Sequence, residues 1–185
     1  MSNVEAKPYV PAKRLPTDYP LIDSDPHFKR VIRYARPSDY ATGAATTAFG
    51  PLALLLMEKM QPSLVGKGGF APIMRLTGAI SLSAGFLMFY QRSTLRFYGF
   101  TENAREQRLD MAEMTAKVKA GEPLYGTSQT TPYIQGVASR NSRYTGVWMH
   151  VIPWFNFVNH GQHGVDTAKY YRAAERELEA EREGK

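Results

Sequence analysis

The chain has 185 residues, a formal net charge of +6 and no cysteine. This length allows one domain with a tail rather than two full domains. The missing cysteine excludes disulfides, thiolate metal sites and thiol catalysis. The basic excess is spread along the chain, which suits an anionic membrane surface better than a nucleic-acid site with its concentrated basic stripe.

The N-terminal segment is rich in proline and contains Pro8, Pro11, Pro16, Pro20 and Pro26. This density predicts an extended, polyproline-like arm over residues 1–26. Its apolar side chains favour contact with a partner's surface, and a mobile tail is an equally good alternative. Asp25 and Pro26 are expected to cap and start a short basic amphipathic helix over residues 27–37, typical of a membrane interface.

Two stretches without formal charge follow, Tyr40–Met57 and Leu76–Gln91. The first holds 18 residues, enough for roughly 27 Å of helix against ~30 Å of bilayer hydrocarbon. The second reaches spanning length when the residues just before it are included. The sequence therefore predicts transmembrane helices over residues 40–57 and 71–91, joined by a Gly/Pro-rich loop over residues 58–70. A buried helical pair in a soluble domain is the alternative.

The pattern after the second span stays helical and then changes. Residues 92–120 predict an aqueous helical extension of the second span, with Gly99 as its favoured bend. Residues 121–165 are rich in Gly, Ser, Thr and Tyr and predict an irregular segment. A charged helix is expected over residues 166–183, in the aqueous phase.

One part of the irregular segment, residues 148–158, is strongly aromatic. This stretch is too short to span a membrane and too apolar to remain in water. We therefore expect it to lie at an interface or against a partner, with Trp148 and Trp154 as interfacial anchors.

Small residues recur at helical spacing in both predicted spans, namely Ala41, Ala45, Ala48, Gly78, Ser81 and Gly85. Spacings of three and four place small side chains on one stripe, which favours close helix packing in lipid. Alternatively, such residues are simply common in membrane helices. Arg75, Arg92 and Arg96 are candidates for binding anionic headgroups such as cardiolipin, although ordinary snorkelling explains them nearly as well.

The sequence predicts no catalytic, cofactor, metal or small-molecule substrate site. His160 and His163 have a spacing that could bind a metal ion on a helix, but Gly161 and Gly164 disfavour a helix there. Polar turn histidines hydrogen-bonded to the backbone are the favoured interpretation. No nucleophile elbow or phosphate-binding loop is present.

Positive charge lies on the outer sides of the two predicted spans. Seven Lys or Arg residues precede the first span, and the connecting loop holds only Lys59 and Lys67, with Arg75 at its edge. By the positive-inside rule, both termini lie on the cytoplasm-like side, which is the matrix side for an inner mitochondrial membrane.

Two blocks of the sequence resemble a known family. Tyr19–Asp39 (YPLIDSDPHFKRVIRYARPSD) and Trp154–Tyr171 (WFNFVNHGQHGVDTAKYY) are similar to the family of ~21-kDa accessory subunits of fungal mitochondrial complex I. The resemblance implies a multi-pass subunit of the mitochondrial inner membrane with two membrane helices in the proton-pumping arm. It also implies no NADH, flavin, iron–sulfur or quinone chemistry of its own.

Together these patterns predict an all-α membrane protein, a two-helix transmembrane hairpin with an extended N-terminal arm, a long second helix and a C-terminal aqueous helix. Its expected role is non-catalytic stabilisation or assembly of the membrane arm. Its expected partners are core and accessory membrane-arm subunits and lipids, with no nucleic acid. A membrane-shaping or import-machinery hairpin protein is the alternative, and a small soluble helical enzyme is a weaker one.

Overall fold

The computed structural model describes residues 11–184, which form seven α-helices and one 3-10 turn and contain no β-strand. The helices are α1 (Phe28–Arg33), α2 (Pro37–Met60), α3 (Gly66–Tyr98), α4 (Ala104–Lys119), α5 (Pro132–Asn141), α6 (Thr145–Trp148) and α7 (Ala168–Glu183). Two of them, α2 and α3, are long and apolar enough to cross a membrane. The expected all-helical class with two candidate membrane spans is confirmed.

The first helix is shorter than predicted. It ends at Arg33, shortly before Pro37, because a proline disfavours the helical conformation of the residue before it. Arg36 is accordingly extended, with φ −91° and ψ 155°. Pro37 then begins α2, and the Asp39 carboxylate accepts a hydrogen bond from the Arg36 backbone N–H at 2.8 Å. Asp25, the expected cap of α1, lies outside that helix.

Both long helices extend beyond their uncharged stretches. Helix α2 continues to Met60, and α3 begins at Gly66, so that residues 61–65 alone connect them. The predicted loop over residues 58–70 was therefore too long. A backbone helix continues through charged and glycine residues when no breaker intervenes, and the apolar pattern marks only its most hydrophobic part.

The predicted helical extension over residues 92–120 is interrupted. Helix α3 ends at Tyr98, and α4 starts at Ala104. Gly99 lies between them with φ +84°, and a Cβ there would overlap the backbone carbonyl oxygen of Tyr19. The residue expected to bend the helix therefore ends it, because glycine alone combines this conformation with this close approach.

Residues 121–165 are not wholly irregular, contrary to the prediction. Thr131 caps helix α5: its side-chain oxygen accepts a hydrogen bond from the Ile134 backbone N–H at 3.4 Å, and Pro132 is the first helical residue. This cap and proline are ordinary helix-start signals. The many Gly, Ser and Thr residues around them hid the signals in the sequence.

The chain divides into two compact units. We call Ile32–Ser93 the apolar unit, which contains α2 and most of α3. We call the remainder, the residues up to Val31 and from Thr94 on, the polar unit. Within the polar unit, Met114, Leu124 and Tyr170 are buried together where α4 packs against α7.

Part of the proline-rich arm is integral to the polar unit. The backbone N–H groups of Ile22 and Asp23 both donate to the Phe97 carbonyl, at 2.9 and 3.1 Å, and residues 22–26 are buried. Residues 22–26 therefore pack on their own chain, whereas the prediction was an arm that lies on a partner's surface or a mobile tail. The prediction for residues 1–10 lies outside the described residues.

Candidate functional site

A buried ionic network joins distant segments of the polar unit, and Arg30 on α1 is its centre. The Arg30 guanidinium lies 3.1 Å from Asp23 Oδ2 in the arm and also pairs with Asp110 on α4. Both carboxylates are almost completely buried. A buried charge needs a compensating partner, so Arg30 holds the arm and α4 to the same point.

Two histidines extend this network to the C-terminal half of the chain. His163 Nδ1 lies 2.7 Å from Asp23 Oδ1, and its Nε2 lies 2.6 Å from the His160 carbonyl oxygen. Both ring nitrogens face acceptors, an arrangement that two ring protons satisfy and that favours the imidazolium. Burial lowers the pKa of His163, but the Asp23 charge and these hydrogen bonds outweigh it and raise the pKa above its usual value.

The second histidine forms a parallel pair. His160 Nε2 lies 2.9 Å from Asp25 Oδ2, while its Nδ1 accepts a hydrogen bond from the Gln162 backbone N–H at 3.2 Å. Because Nδ1 accepts a hydrogen bond, Nε2 is the ring nitrogen that is able to donate to Asp25. The two histidines were predicted as polar turn residues bonded to the backbone, and their pairing with buried carboxylates was missed.

The His163–Asp23 pair makes the free energy of unfolding depend on pH, and its contribution decreases toward alkaline pH. The pKa of His163 in the folded state is raised above the usual histidine value of 6.5, so its pair with Asp23 contributes fully to stability below that pH. The contribution is lost as the pH rises through the raised pKa. We expect His163→Gln to lower the free energy of unfolding near about pH 6 and to reduce its decline toward about pH 9.

Chemical unfolding of the full chain in detergent micelles across this pH range measures the effect. The exposed His150 provides the matched control, because His150→Gln leaves the Asp23 pair intact. An unchanged alkaline decline in His163→Gln would contradict the assignment of the imidazolium.

Tyr170 on α7 completes the network. Its hydroxyl donates to Asp110 Oδ2 at 2.6 Å, and the residue is fully buried. Tyr170→Phe is expected to lower the free energy of unfolding by about 1.5–3 kcal/mol, because a buried carboxylate loses a donor. Tyr171→Phe, at the half-exposed neighbour, is the control and should change little. Equal effects of the two substitutions in thermal unfolding would show that this hydrogen bond contributes nothing.

In the apolar unit, glycines bring α2 and α3 into close contact. A Cβ on Gly43 would lie 3.0 Å from the Gly85 carbonyl oxygen, and one on Gly85 would lie 2.5 Å from the Gly43 carbonyl oxygen. Nearer the connection, a Cβ on Gly50 would overlap the Ser81 hydroxyl. The rings of Tyr40 and Phe89 lie 4.6 Å apart at the other end. The absent side chains therefore permit the close backbone approach.

The predicted packing residues fall into two groups. Ser81 and Gly85 are buried at the contact between α2 and α3. Gly78 is partly exposed, and a Cβ there would meet nothing within 4 Å. Ala41, Ala45 and Ala48 are exposed on α2. The sequence did not single out Gly43 and Gly50, although the same small-residue signal applies to both.

The candidate headgroup arginines also differ in placement. Arg75 is exposed. Arg92 is 45% exposed, and its Nε lies 3.3 Å from Asp39 Oδ1. Arg96 is buried, with its Nε 3.4 Å from Glu106 Oε1. Arg96 is therefore a poor candidate for binding a lipid headgroup, because it is buried and its charge pairs with Glu106.

The aromatic anchor candidates Trp148 and Trp154 are both exposed, at 63% and 41%. Within residues 11–184, no three His, Asp or Glu side chains are arranged to hold a metal ion.

Comparison with known proteins places these features in one family. The sequence-family model of the NADH-ubiquinone oxidoreductase complex I 21 kDa subunit matches residues 16–102. The family model of that subunit's C-terminal part matches residues 111–185. The chain is 63% identical over 185 residues to the NADH-ubiquinone oxidoreductase 20.9 kDa subunit of Neurospora crassa, covering 100% of this chain and 98% of the relative. This chain belongs to the 21 kDa subunit family of NADH-ubiquinone oxidoreductase complex I.

Proposed function

We propose that the chain is a non-catalytic accessory subunit of mitochondrial complex I that stabilises the membrane arm or assists its assembly. In this proposal, α2 and α3 cross the inner membrane as a hairpin with both termini in the matrix. The chain contacts core and accessory membrane-arm subunits and lipids, and it binds no redox cofactor or substrate of its own.

The exposure of α2 and α3 carries this proposal. Only 6% of the most apolar part of α2 is buried, and only 22% of the most apolar part of α3 is buried. The core helix of a soluble protein would be mostly buried. Apolar surface left in water costs about 25 cal/mol per Å². Side chains such as Phe49 and Leu76, 72% and 63% exposed, therefore require lipid or another subunit to cover them.

Helix lengths support the hairpin. The 24 residues of α2 extend for ~36 Å and the 33 residues of α3 for ~50 Å, compared with a hydrocarbon thickness of ~30 Å. Helix α2 thus spans with little excess, while α3 continues well past the bilayer. Basic residues before α2 and at the end of α3 support a matrix location for both termini.

Family membership favours this proposal over a membrane-shaping or import-machinery hairpin. The exposed apolar surface of α2 and α3 disfavours a small soluble helical enzyme, whose apolar helices would be covered by its own fold.

Depletion of the chain tests the proposed role. We expect less fully assembled complex I on native gels, and unchanged NADH:ubiquinone activity per assembled complex. Re-expression of the intact chain is the control and should restore the amount of complex. A complex present in normal amount but with reduced turnover would contradict the accessory role and indicate a part in catalysis.

A further inference from the structure

The polar unit displays a cluster of large apolar side chains on its surface. We call this cluster the aromatic surface, and its members are 40% to 72% exposed: Val147, Trp148, Val151, Ile152, Trp154 and Phe157. Large apolar side chains that are exposed singly are common, but six of them within residues 147–157 are a local concentration that indicates an interaction site.

The backbone groups several of these side chains. The N–H groups of Val151 and Ile152 both donate to the Trp148 carbonyl, at 2.8 and 3.0 Å, so that the helical turn of α6 continues. Helical spacing places Val147, Trp148, Val151 and Ile152 on one side of this turn. Trp154 follows directly in sequence and is also exposed.

The opposite side of the turn is anchored inside the polar unit. Met149 is completely buried, and the Thr145 hydroxyl lies 2.6 Å from the Tyr98 hydroxyl. Further along, the Asn156 side chain donates to the Asp25 carbonyl at 3.2 Å. The exposed side chains are therefore held outward by a fixed framework and are not the result of a frayed loop.

The charged residues near the aromatic surface indicate what kind of partner it binds. No acidic residue occurs from Pro123 to Val165, while Arg140 and Arg143 lie just before the aromatic surface and are partly exposed. Both tryptophans of the chain belong to this surface. Tryptophan favours the headgroup level of a bilayer, and arginine is attracted to anionic lipid. Bulky apolar groups with tryptophan and arginine, and no acidic side chain in this stretch to repel lipid phosphates, fit an anionic membrane surface.

We propose that the aromatic surface docks onto an anionic phospholipid bilayer, with Trp148, Val151 and Ile152 inserted at headgroup level and Arg140 and Arg143 held to lipid phosphates. This inference rests on the proposed membrane anchoring, because α2 and α3 would hold the chain at a bilayer. It adds a second membrane contact that does not cross the membrane.

Intrinsic fluorescence tests the proposal, since Trp148 and Trp154 are the two tryptophans of the chain and both report on this surface. The full chain is reconstituted into phosphatidylcholine vesicles with and without cardiolipin. We expect emission at shorter wavelength than in water, quenching by lipids brominated near the headgroup, and stronger quenching when cardiolipin is present.

Matched variants separate the two contributions. The double variant Arg140→Gln with Arg143→Gln should lose the increase caused by cardiolipin, with the ratio of docked to undocked states falling about fivefold for each arginine. Arg176→Gln with Arg182→Gln, on α7, is the control and should retain the increase. Val151→Ser with Ile152→Ser should reduce quenching in both vesicle types, whereas Leu178→Ser on α7 should not.

Three results would overturn the proposal, and they differ in meaning. Water-like, unquenched emission from chains that float with the vesicles would refute the lipid contact while leaving the membrane anchor intact. Short-wavelength emission seen only in intact complex I, without quenching by brominated lipid, would show that a protein subunit covers the surface. Failure of the chain to float would refute the membrane anchor and this inference together.

Discussion

Replacement of Arg30 by methionine is expected to lower the free energy of unfolding by about 3–5 kcal/mol. Methionine keeps much of the apolar stem of the arginine side chain, so the decrease in the free energy of unfolding measures the loss of the guanidinium charge. Asp23 and Asp110 would then remain buried without the guanidinium that now pairs with both. His163 would be left as the positive partner of Asp23, and Asp110 would retain the Tyr170 hydroxyl.

Chemical unfolding of the full chain in detergent micelles measures this loss. Lys29→Met is the matched control, because Lys29 is exposed on the same helix, and it should change the free energy of unfolding by less than about 0.5 kcal/mol. Equal stability of the Arg30→Met and Lys29→Met variants would mean that the buried network does not hold the polar unit together.

Gly85→Ala is expected to force α2 and α3 apart and to cost about 1–3 kcal/mol, the usual range for overpacking. The added Cβ would overlap the Thr47 hydroxyl, which can rotate away. It would also lie 2.5 Å from the Gly43 carbonyl oxygen, which belongs to the backbone and cannot rotate away. We therefore expect a lower thermal midpoint in detergent micelles and less of the variant chain incorporated into complex I.

Gly78→Ala provides the control on the same helix. A Cβ at Gly78 meets nothing within 4 Å, so this substitution adds helix propensity without a clash. The comparison isolates packing, since both variants exchange glycine for alanine inside α3. A Gly85→Ala chain as stable and as well incorporated as Gly78→Ala would contradict the close contact between α2 and α3.

The long apolar helices could be predicted from the sequence because their signal is local. An uncharged run such as Tyr40–Met57 gives spanning length without knowledge of any partner. Small residues at helical spacing indicated Ser81 and Gly85 in the same way. The side of α2 that meets α3 could not be predicted this way, because alanine and glycine both count as small residues. Gly43 and Gly50 lie at the contact, whereas the predicted Ala41, Ala45 and Ala48 are exposed.

The ionic network could not be predicted because its partners are far apart in sequence. Asp23 and His163 are separated by 140 residues, and Asp25 and His160 by 135. Arg30 lies on the basic side of a short amphipathic helix, a pattern that ordinarily indicates solvent. Burial of such a side chain depends on tertiary contacts with α4, which no local pattern shows.

The proposed role requires a chain that is held in the inner membrane as part of complex I. Native electrophoresis of membranes solubilised in mild detergent, followed by identification of the chains that comigrate with an epitope-tagged copy, tests this most directly. We expect the tagged chain in the band that contains the other complex I subunits, with little of it elsewhere. A tagged chain found alone at low mass, or in a different assembly, would contradict the proposed role.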